Sequence, residues 1–513
     1  MVTSISKQSS DFALSVLPEL DKFVVIAAFA FFLWFGWVGH IGSDDKVHLY
    51  GALGWLNRFP YIPENHGEVR HLITLPAAFS MKVFGMNEYS AVAPNVLYYL
   101  GLVGLTFGFV KARCGRIGGY LACLFVLTMP VFTIQASMVF ADTTELFFAG
   151  SSIFSYLRSR FSDRPKLWLA LSGITLGFSW LTRETTLAVA FAFALFYLIE
   201  QRERRANYFW LALGFASVLV LEALAMWVTT GDPLFRYVLS LSETQRMAQT
   251  SAPTSQGLFD TLGNIRVNSV LDPFLVLLLN HGFGLFWWVA TFTMFMAWRY
   301  RNALSESDRW MIVRLATISI LWFAVGMALL KEWRHPRYFA GSTFAMAIAV
   351  SLVLARLWES EVAIKAKMLA LGIVGAGSIC IYIDNRDPMF GEHTLLRIVP
   401  SLNETVFTDK ETAGRLKLLL HFSGLEGRVS SAAPGLGALY FENPNRSPLL
   451  KSLRAPNCYT VLTAAAAPTT PHGKILNFIW PRIPLPPDLY RRLVQPNFGV
   501  QLVRISQGDA TCL

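Results

Sequence analysis

Hydrophobic residues in this chain come in long blocks that are separated by short polar connections. Runs such as VVIAAFAFFLWFGWV, FASVLVLEALAMWV and FAMAIAVSLVLA approach the ~20 residues that a helix needs to cross a bilayer. The blocks predict about eleven spans, at 22–41, 93–110, 117–134, 139–157, 167–181, 184–200, 208–229, 272–298, 311–330, 338–356 and 367–384. The two short windows around WLTRETTL are also compatible with one broken helix.

The pattern changes after residue 384, where no further span follows. TVFTD, RVSSA, CYTVLT and VQLVRIS are typical of strands, and KETAGRLKLLLHF has helical spacing. We therefore predict a polytopic α-helical membrane domain over 1–384, with external loops at 42–92 and 230–271. A small extracytoplasmic α/β domain is predicted over 385–513.

Composition and loop charge agree with a membrane protein. Of the 513 residues 54% are hydrophobic and 15% are charged, against roughly 25% charged in soluble proteins. The net charge of +10 is explained by basic connections between spans, so no nucleic-acid partner is expected. These connections are KARCGR, RSRFSDRPK, QRERR and WRYRN. They predict a cytoplasmic N-terminus and an external C-terminal domain. The short loops and the lack of an organellar signal favour a bacterial inner membrane, in which the C-terminal domain is periplasmic.

Ionisable residues gather at the span ends on the predicted external side. Such residues are costly at membrane depth unless they are paired or hydrated, which makes them candidates for function. They are Asp44, Asp45, Asp142, Glu145, Arg183, Glu184, Glu243, Arg246, Lys331, Arg334, His335 and Arg337. Each alone is compatible with an interfacial charge, a helix N-terminus or a solvated turn. Their concentration on one face indicates a site for an anionic, lipid-linked substrate.

Two cysteines of the predicted external domain, Cys458 and Cys512, lie where oxidation is permitted. A disulfide between them and two unpaired thiols are equally open alternatives. No Cys/His spacing resembles a zinc site, so no zinc site is predicted.

Six segments, in order, resemble motifs of the GT-C superfamily of membrane glycosyltransferases. The nearest groups are the protein O-mannosyltransferase-like enzymes and the lipid A aminoarabinose transferases. SDDKVHLYGALGWL resembles the Asp-Glu pair that opens their first external loop, and VRHLITLPAAFSMKVFG resembles their His-Pro-Pro stretch. FADTTELFFAG, LGFSWLTRETTLAVA, GDPLFRYVLSLSETQRM and RHPRYFAGSTFAMAIAV resemble the later motifs. The resemblance spans about residues 20–357 and departs from the family at Asp45, which replaces Glu, and at Arg183, which replaces Lys.

The resemblance implies an inverting hexosyl- or pentosyltransferase that moves a sugar from a polyprenyl phosphate to an acceptor hydroxyl. The acceptor is then a lipid, a glycan or a protein, in a bilayer of membrane lipids. A general base is needed, and Asp44 is the candidate, with Asp45 positioning the acceptor or a metal. The other acceptor- or sugar-binding candidates are His48, Tyr50, His71, Asp142, Glu145 and Glu243. The donor-phosphate candidates are Arg183, Arg246, Lys331, Arg334, His335, Arg337 and Tyr338. The resemblance requires no cofactor and leaves room for a divalent metal ion.

Two other classes of protein remain open at this stage. A transporter or flippase for a lipid-linked substrate needs ionisable residues at mid-span and an inverted repeat, and Glu222 is the acid well inside a span. A polysaccharide polymerase or ligase needs a large late external loop with paired arginines, which 230–271 resembles only loosely.

Overall fold

The computed structural model describes residues 19–250, 272–329, 336–384, 387–447, 458–467 and 498–506. The helices within these ranges are α1 (Glu19–Phe35), α2 (Asp44–Asn57), α3 (His71–Phe84), α4 (Glu88–Thr128), α5 (Pro130–Ala136), α6 (Ala141–Ser159), α7 (Pro165–Thr182), α8 (Leu187–Ile199), α9 (Arg202–Arg205), α10 (Tyr208–Thr230), α11 (Phe235–Thr250), α12 (Asp272–Leu279), α13 (Phe286–Arg299), α14 (Glu306–Leu329), α15 (Ala340–Leu357), α16 (Ala363–Asp384), α17 (Phe390–Ile398) and α18 (Lys410–Phe422).

All eleven predicted windows are helical over most of their length, because a helix satisfies its own backbone groups in a bilayer. Five of the described helical segments are long and apolar enough to cross a membrane, and the chain is a multi-pass membrane protein. They are Glu88–Thr128, Arg202–Thr230, Glu306–Ala328, Pro336–Leu357 and Ala363–Tyr382. The number of crossings and their orientation stay predictions.

Three boundaries differ from the windows. Helix α1 ends at Phe35, so the residues up to Asp44 form a loop. Helix α4 joins two predicted spans through a bend at Gly115, whose φ of 74° suits glycine. The window 272–298 is interrupted between Leu279 and Phe286, where α12 gives way to α13.

Helix α15 occupies the centre of the bundle. Only Ala355 and Arg356 of its residues are not buried, and it packs against α4, α6, α13, α14 and α16. Its many small residues permit this close approach, as is common between membrane helices. Gly341 shows how tight the packing is, since an added Cβ would lie 2.1 Å from the Trp322 ring.

Ion pairs lie at the end of the bundle that holds the connection KARCGR. Asp21, in the first turn of α1, contacts Lys111 at 2.6 Å and Arg116 at 2.9 Å. Arg356 contacts Asp308 at 2.9 Å. These groups lie at the opposite end of α6 from Asp142, so the two ends of the bundle carry separate sets of charges.

The described residues of the C-terminal part form a five-stranded sheet. Its strands are β1 (Val406–Thr408), β2 (Val429–Ser430), β3 (Leu439–Glu442), β4 (Tyr459–Ala465) and β5 (Val500–Ile505). Their order is β2-β1-β3-β5-β4, with parallel pairing from β2 to β3 and antiparallel pairing from β3 to β4. The four strands and the helix predicted from the sequence are all present, and β3 is the strand that was missed. Cys458 is disulfide-bonded, while its predicted partner Cys512 lies outside the described residues.

Helix α18 of this C-terminal part packs on the two helices that follow α1. Leu418 is buried in one cluster with Leu49 of α2 and Ile73 of α3. Arg415 donates a hydrogen bond to the Ile41 carbonyl at 2.7 Å. The C-terminal part therefore supports the loop that leads to Asp44.

The α7–α10 contact gives a test of helix packing. An added Cβ at Gly173 would lie 2.0 Å from the Leu211 carbonyl oxygen, whereas at Gly104 of α4 it would meet nothing within 4 Å. We expect Gly173→Ala to destabilise the protein by about 1–3 kcal/mol through overpacking, measured by thermal unfolding in detergent. Gly104→Ala is the matched control, also at a helical glycine, and should be neutral or slightly stabilising. Equal effects of the two changes would contradict this packing.

Candidate functional site

Asp45 organises the loop between α1 and α2. Its carboxylate accepts hydrogen bonds from the backbone N–H groups of Ile41 at 2.7 Å, Gly42 at 3.2 Å and Ser43 at 2.6 Å. His40 Nδ1 also lies 2.6 Å from it. Burial alone would raise the pKa of Asp45, but the contacts with His40 and the backbone outweigh it and hold this pKa below its usual range. The Asp45 carboxylate thus stabilises the loop through these contacts, and its predicted role in positioning an acceptor or a metal stays a prediction.

Asp44 is placed differently, although it is the adjacent residue. It begins α2, and its side chain is 55% exposed. Arg337 Nη2 donates to Asp44 Oδ2 at 2.6 Å, which joins residues 293 positions apart. Burial opposes ionisation, but the charge and hydrogen bond of Arg337 lower the pKa of Asp44 overall. At neutral pH Asp44 is therefore an ionised carboxylate facing the solvent at the end of the bundle.

A second arginine–carboxylate pair lies in the same region. Arg183, in the turn between α7 and α8, donates to Asp142 in the first turn of α6. Its Nη1 also lies 3.9 Å from Glu145, whose carboxylate accepts hydrogen bonds from Thr185 and Thr186. The structure thus brings three of the predicted site residues into one buried cluster.

Tyr338 lies between the two pairs. The Arg183 guanidinium is 4.6 Å from the centroid of its ring, and the Arg337 guanidinium is 5.3 Å away. Arg337 also lies 5.1 Å from the Phe140 ring. Cation–aromatic contacts of this kind hold two guanidinium groups close together in spite of their like charge.

The predicted histidines and Tyr50 lie around this cluster in other settings. His48 is buried, and its Nδ1 donates to the Gly67 carbonyl at 2.9 Å. Burial, and then the charge of Arg70, lowers the pKa of His48 to about 4, so it is neutral at pH 7. His71 packs against the edge of Trp55. Tyr50 faces α18, where Lys417 lies 5.8 Å from its ring, rather than the arginine pairs.

Some predicted residues fall outside what the structure describes. Lys331, Arg334 and His335 lie in the interval between 329 and 336. Glu243 and Arg246 belong to α11, but their side chains are outside the described set. Their roles stay predictions.

Two arginines that the motifs did not single out lie beside the cluster. Arg70 Nη2 is 2.7 Å from His66 Nε2, and the charge of Arg70 acts on both Asp44 and His48. Arg236 is buried, donates to the carbonyls of Val69 and Leu181, and lies 3.6 Å from Glu222. The sequence could have indicated both: Arg70 directly precedes His71, and Arg236 lies within the motif segment GDPLFRYV.

No group of three metal-ligating side chains occurs among the described residues. The carboxylates of the cluster accept hydrogen bonds from arginines, hydroxyls or backbone N–H groups. This donor set fits an anion held by fixed cations better than a metal ion.

The structure is a helical bundle with two helices after its first span and with acids and arginines opposed at one end. Residues 72–227, from α3 into α10, match the family described as dolichyl-phosphate-mannose-protein mannosyltransferase. No curated protein matches the sequence significantly.

Two solved structures of ArnT have a similar fold over nearly the whole chain. ArnT from Cupriavidus metallidurans in the apo state is similar over 94% of this chain and 97% of its own, at 11% identity and a TM-score of 0.53. ArnT bound to undecaprenyl phosphate is similar over 96% and 98%, with the same identity and TM-score. An Archaeoglobus fulgidus oligosaccharyltransferase has a TM-score of 0.48 at 12% identity, over 78% of this chain and 61% of its own. The chain therefore shares the fold of ArnT over most of its length, and the family match over residues 72–227 agrees with the GT-C resemblance stated from the motifs.

The buried state of Asp45 gives a pH-dependent prediction. Because its pKa in the folded protein lies below the unfolded value, its stabilising effect is present above the unfolded pKa of about 3.9 and is lost as the pH falls through the folded pKa. We expect Asp45→Asn to lower the free energy of unfolding at pH 7 by about 2 kcal/mol. The gap between variant and wild type should narrow as the pH is lowered towards 3, measured by chemical unfolding in detergent. Asp44→Asn, at a half-exposed position, is the control. An equal loss of unfolding free energy in Asp44→Asn would contradict the conclusion that Asp45, and not Asp44, stabilises the loop.

Proposed function

We propose that this protein transfers a sugar from a polyprenyl phosphate to an acceptor hydroxyl, with Asp44 as the general base. The observation that carries the proposal is the contrast among the acids of the cluster. The side chain of Asp44 is 55% exposed, whereas those of Asp142 and Glu145 are each 5% exposed and that of Asp45 is fully buried. Asp44 is therefore the carboxylate in this set that an acceptor can reach.

The proposed reaction forms and breaks one bond at the anomeric carbon. The acceptor oxygen bonds to this carbon from the face opposite the phosphate, and its proton passes to Asp44. The bond between the anomeric carbon and the phosphate oxygen breaks, and the polyprenyl phosphate leaves with the electron pair. The configuration inverts because attack and departure occur on opposite faces.

Fixed cations provide the stabilisation that the departing phosphate needs. Arg337 and Arg183 are held together by Tyr338, and Arg70 lies on the side of Asp44 and His48. The Nε atoms of Arg70 and Arg337 are buried, without a hydrogen-bond partner among the described residues. Buried donors of this kind favour an anionic acceptor such as phosphate. No cofactor is needed for this chemistry.

The similarity to ArnT supports the class of donor, since ArnT binds undecaprenyl phosphate in the second of its structures. The separate set of basic connections at the other end of the bundle supports a site on the outer face of the membrane. We therefore place the reaction on the periplasmic side of a bacterial inner membrane, in the assembly of a cell-envelope glycan.

Asp44→Asn tests the base. The change keeps the size of the side chain but removes its ability to accept the proton, so we expect sugar transfer to fall by about 10²–10⁴-fold. Transfer from undecaprenyl-phosphate-linked sugars extracted from membranes is measured with purified protein, together with donor binding. Glu404→Gln, at an exposed carboxylate of the C-terminal part, is the control. Wild-type turnover by Asp44→Asn would return Asp44 to the role of an interfacial charge.

Arg337→Gln and Arg183→Gln test the phosphate contacts. Loss of a charge-assisted hydrogen bond of about 1.5–3 kcal/mol should weaken undecaprenyl phosphate binding roughly 10–100-fold, measured by ligand-induced thermal stabilisation. Arg337→Lys should recover part of the binding because it restores the charge. Arg504→Gln changes a surface arginine that pairs with Glu404 and should have no effect. Unchanged binding in both cluster variants would exclude these arginines as the phosphate site.

A further inference from the structure

A polar cavity of about 220 Å³ lies at the end of the bundle opposite the candidate site. It forms where the connection after α6 meets the end of α8 and the beginnings of α10 and α14. Arg160 and Arg204 provide its basic lining, and Tyr156, Tyr208 and Trp310 provide its aromatic lining. The proposed glycosyl transfer makes no use of these residues.

The charge balance of the cavity favours an anion. Its acidic residue, Glu200, contacts Arg160 at 3.3 Å and lies 3.9 Å from Arg314. Two arginines therefore pair with this one carboxylate. Arg204 adds a further positive charge to the lining. A guanidinium binds phosphate with good geometry, through parallel hydrogen bonds.

The aromatic wall is fixed in place by its own contacts. The Tyr156 and Tyr208 hydroxyls lie 2.8 Å apart, and the Tyr156 ring stacks on Trp310 at 6.2 Å. The Arg160 guanidinium lies 5.5 Å from the Trp310 ring. Tyrosine and tryptophan are the residues that membrane proteins place at the level of lipid headgroups.

Exposed apolar side chains occur on the helices whose ends line the cavity. Leu198 and Ile199, at the end of α8, are 63% and 62% exposed, and Phe209, at the start of α10, is 62% exposed. Leu167 of α7 is 49% exposed. A free phosphate ion would gain nothing from such a rim, whereas a lipid would lay its acyl chains against it.

We propose that this cavity binds the phosphate group of an anionic membrane phospholipid. The phosphate lies between Arg160 and Arg204, and the acyl chains follow the exposed faces of α8 and α10. Basic pockets between membrane helices on the cytoplasmic side bind anionic headgroups in this manner. The site is separate from the proposed transfer reaction and does not depend on it.

The test uses the full-length protein in nanodiscs that contain equal amounts of phosphatidylglycerol and phosphatidylcholine. Lipids that stay bound are counted by native mass spectrometry. We expect the wild type to retain phosphatidylglycerol over phosphatidylcholine, and Arg204→Gln to reduce this retention about tenfold. Arg202→Gln is the matched control, because Arg202 lies on the same short helix and is also exposed but does not line the cavity.

Arg160→Gln provides a second variant, with Arg160→Lys expected to retain part of the lipid. Arg204 is exposed, so Arg204→Gln keeps the test valid if loss of the Arg160–Glu200 pair disturbs folding. Equal loss in Arg202→Gln would show diffuse attraction to basic loops and overturn the proposal. So would equal retention of the two lipids, or displacement of the lipid by millimolar inorganic phosphate, which would identify a site for the free ion.

Discussion

The pairing of Arg183 with Asp142 is the interaction on which this end of the molecule depends. Both side chains are largely buried, and an uncompensated charge at such a position costs several kcal/mol. Their contact ties the start of α6 to the turn between α7 and α8. The stacking of Arg183 on Tyr338 then brings the residues before α15 to the same place. Arg337, the neighbour of Tyr338, is thereby directed towards Asp44.

Much of the fold could be predicted because its determinants are local. Blocks of apolar residues predicted the membrane helices, and the polar pair Arg183–Glu184 predicted the turn between α7 and α8. The bend at Gly115 falls in KARCGR, the connection predicted between two spans, but the continuation of helix up to both sides of this glycine could not be predicted. Strand β3 was missed because its four residues, LYFE, are too few to show alternation, and its pairing with β1 and β5 is what makes it a strand.

The site was predictable as a set of charges but not as a set of pairs. The sequence placed Asp44 and Arg337 on one face, yet no local pattern links residues 293 positions apart. The resemblance assigned the base to Asp44, but no local pattern predicted that Asp45 is buried while the adjacent Asp44 is half-exposed. Their difference arises from the path of the loop, which turns three N–H groups towards Asp45 alone. Arg70 was missed for a similar reason, because its neighbours come from distant helices.

Because Arg415 stabilises the loop before Asp44, this loop can reach its final structure only after Arg415 has been synthesised. Gly42 has a φ of 66°, and a Cβ there would lie 2.7 Å from the Arg415 side chain, so the two segments pack directly. Arg415 follows Ile41 by 374 residues, which takes roughly 20–75 s at the usual rates of translation. Until that point the growing chain lacks the surface on which its first loop rests. The loop that leads to Asp44 is thus completed only when a segment several hundred residues later in the chain has been made.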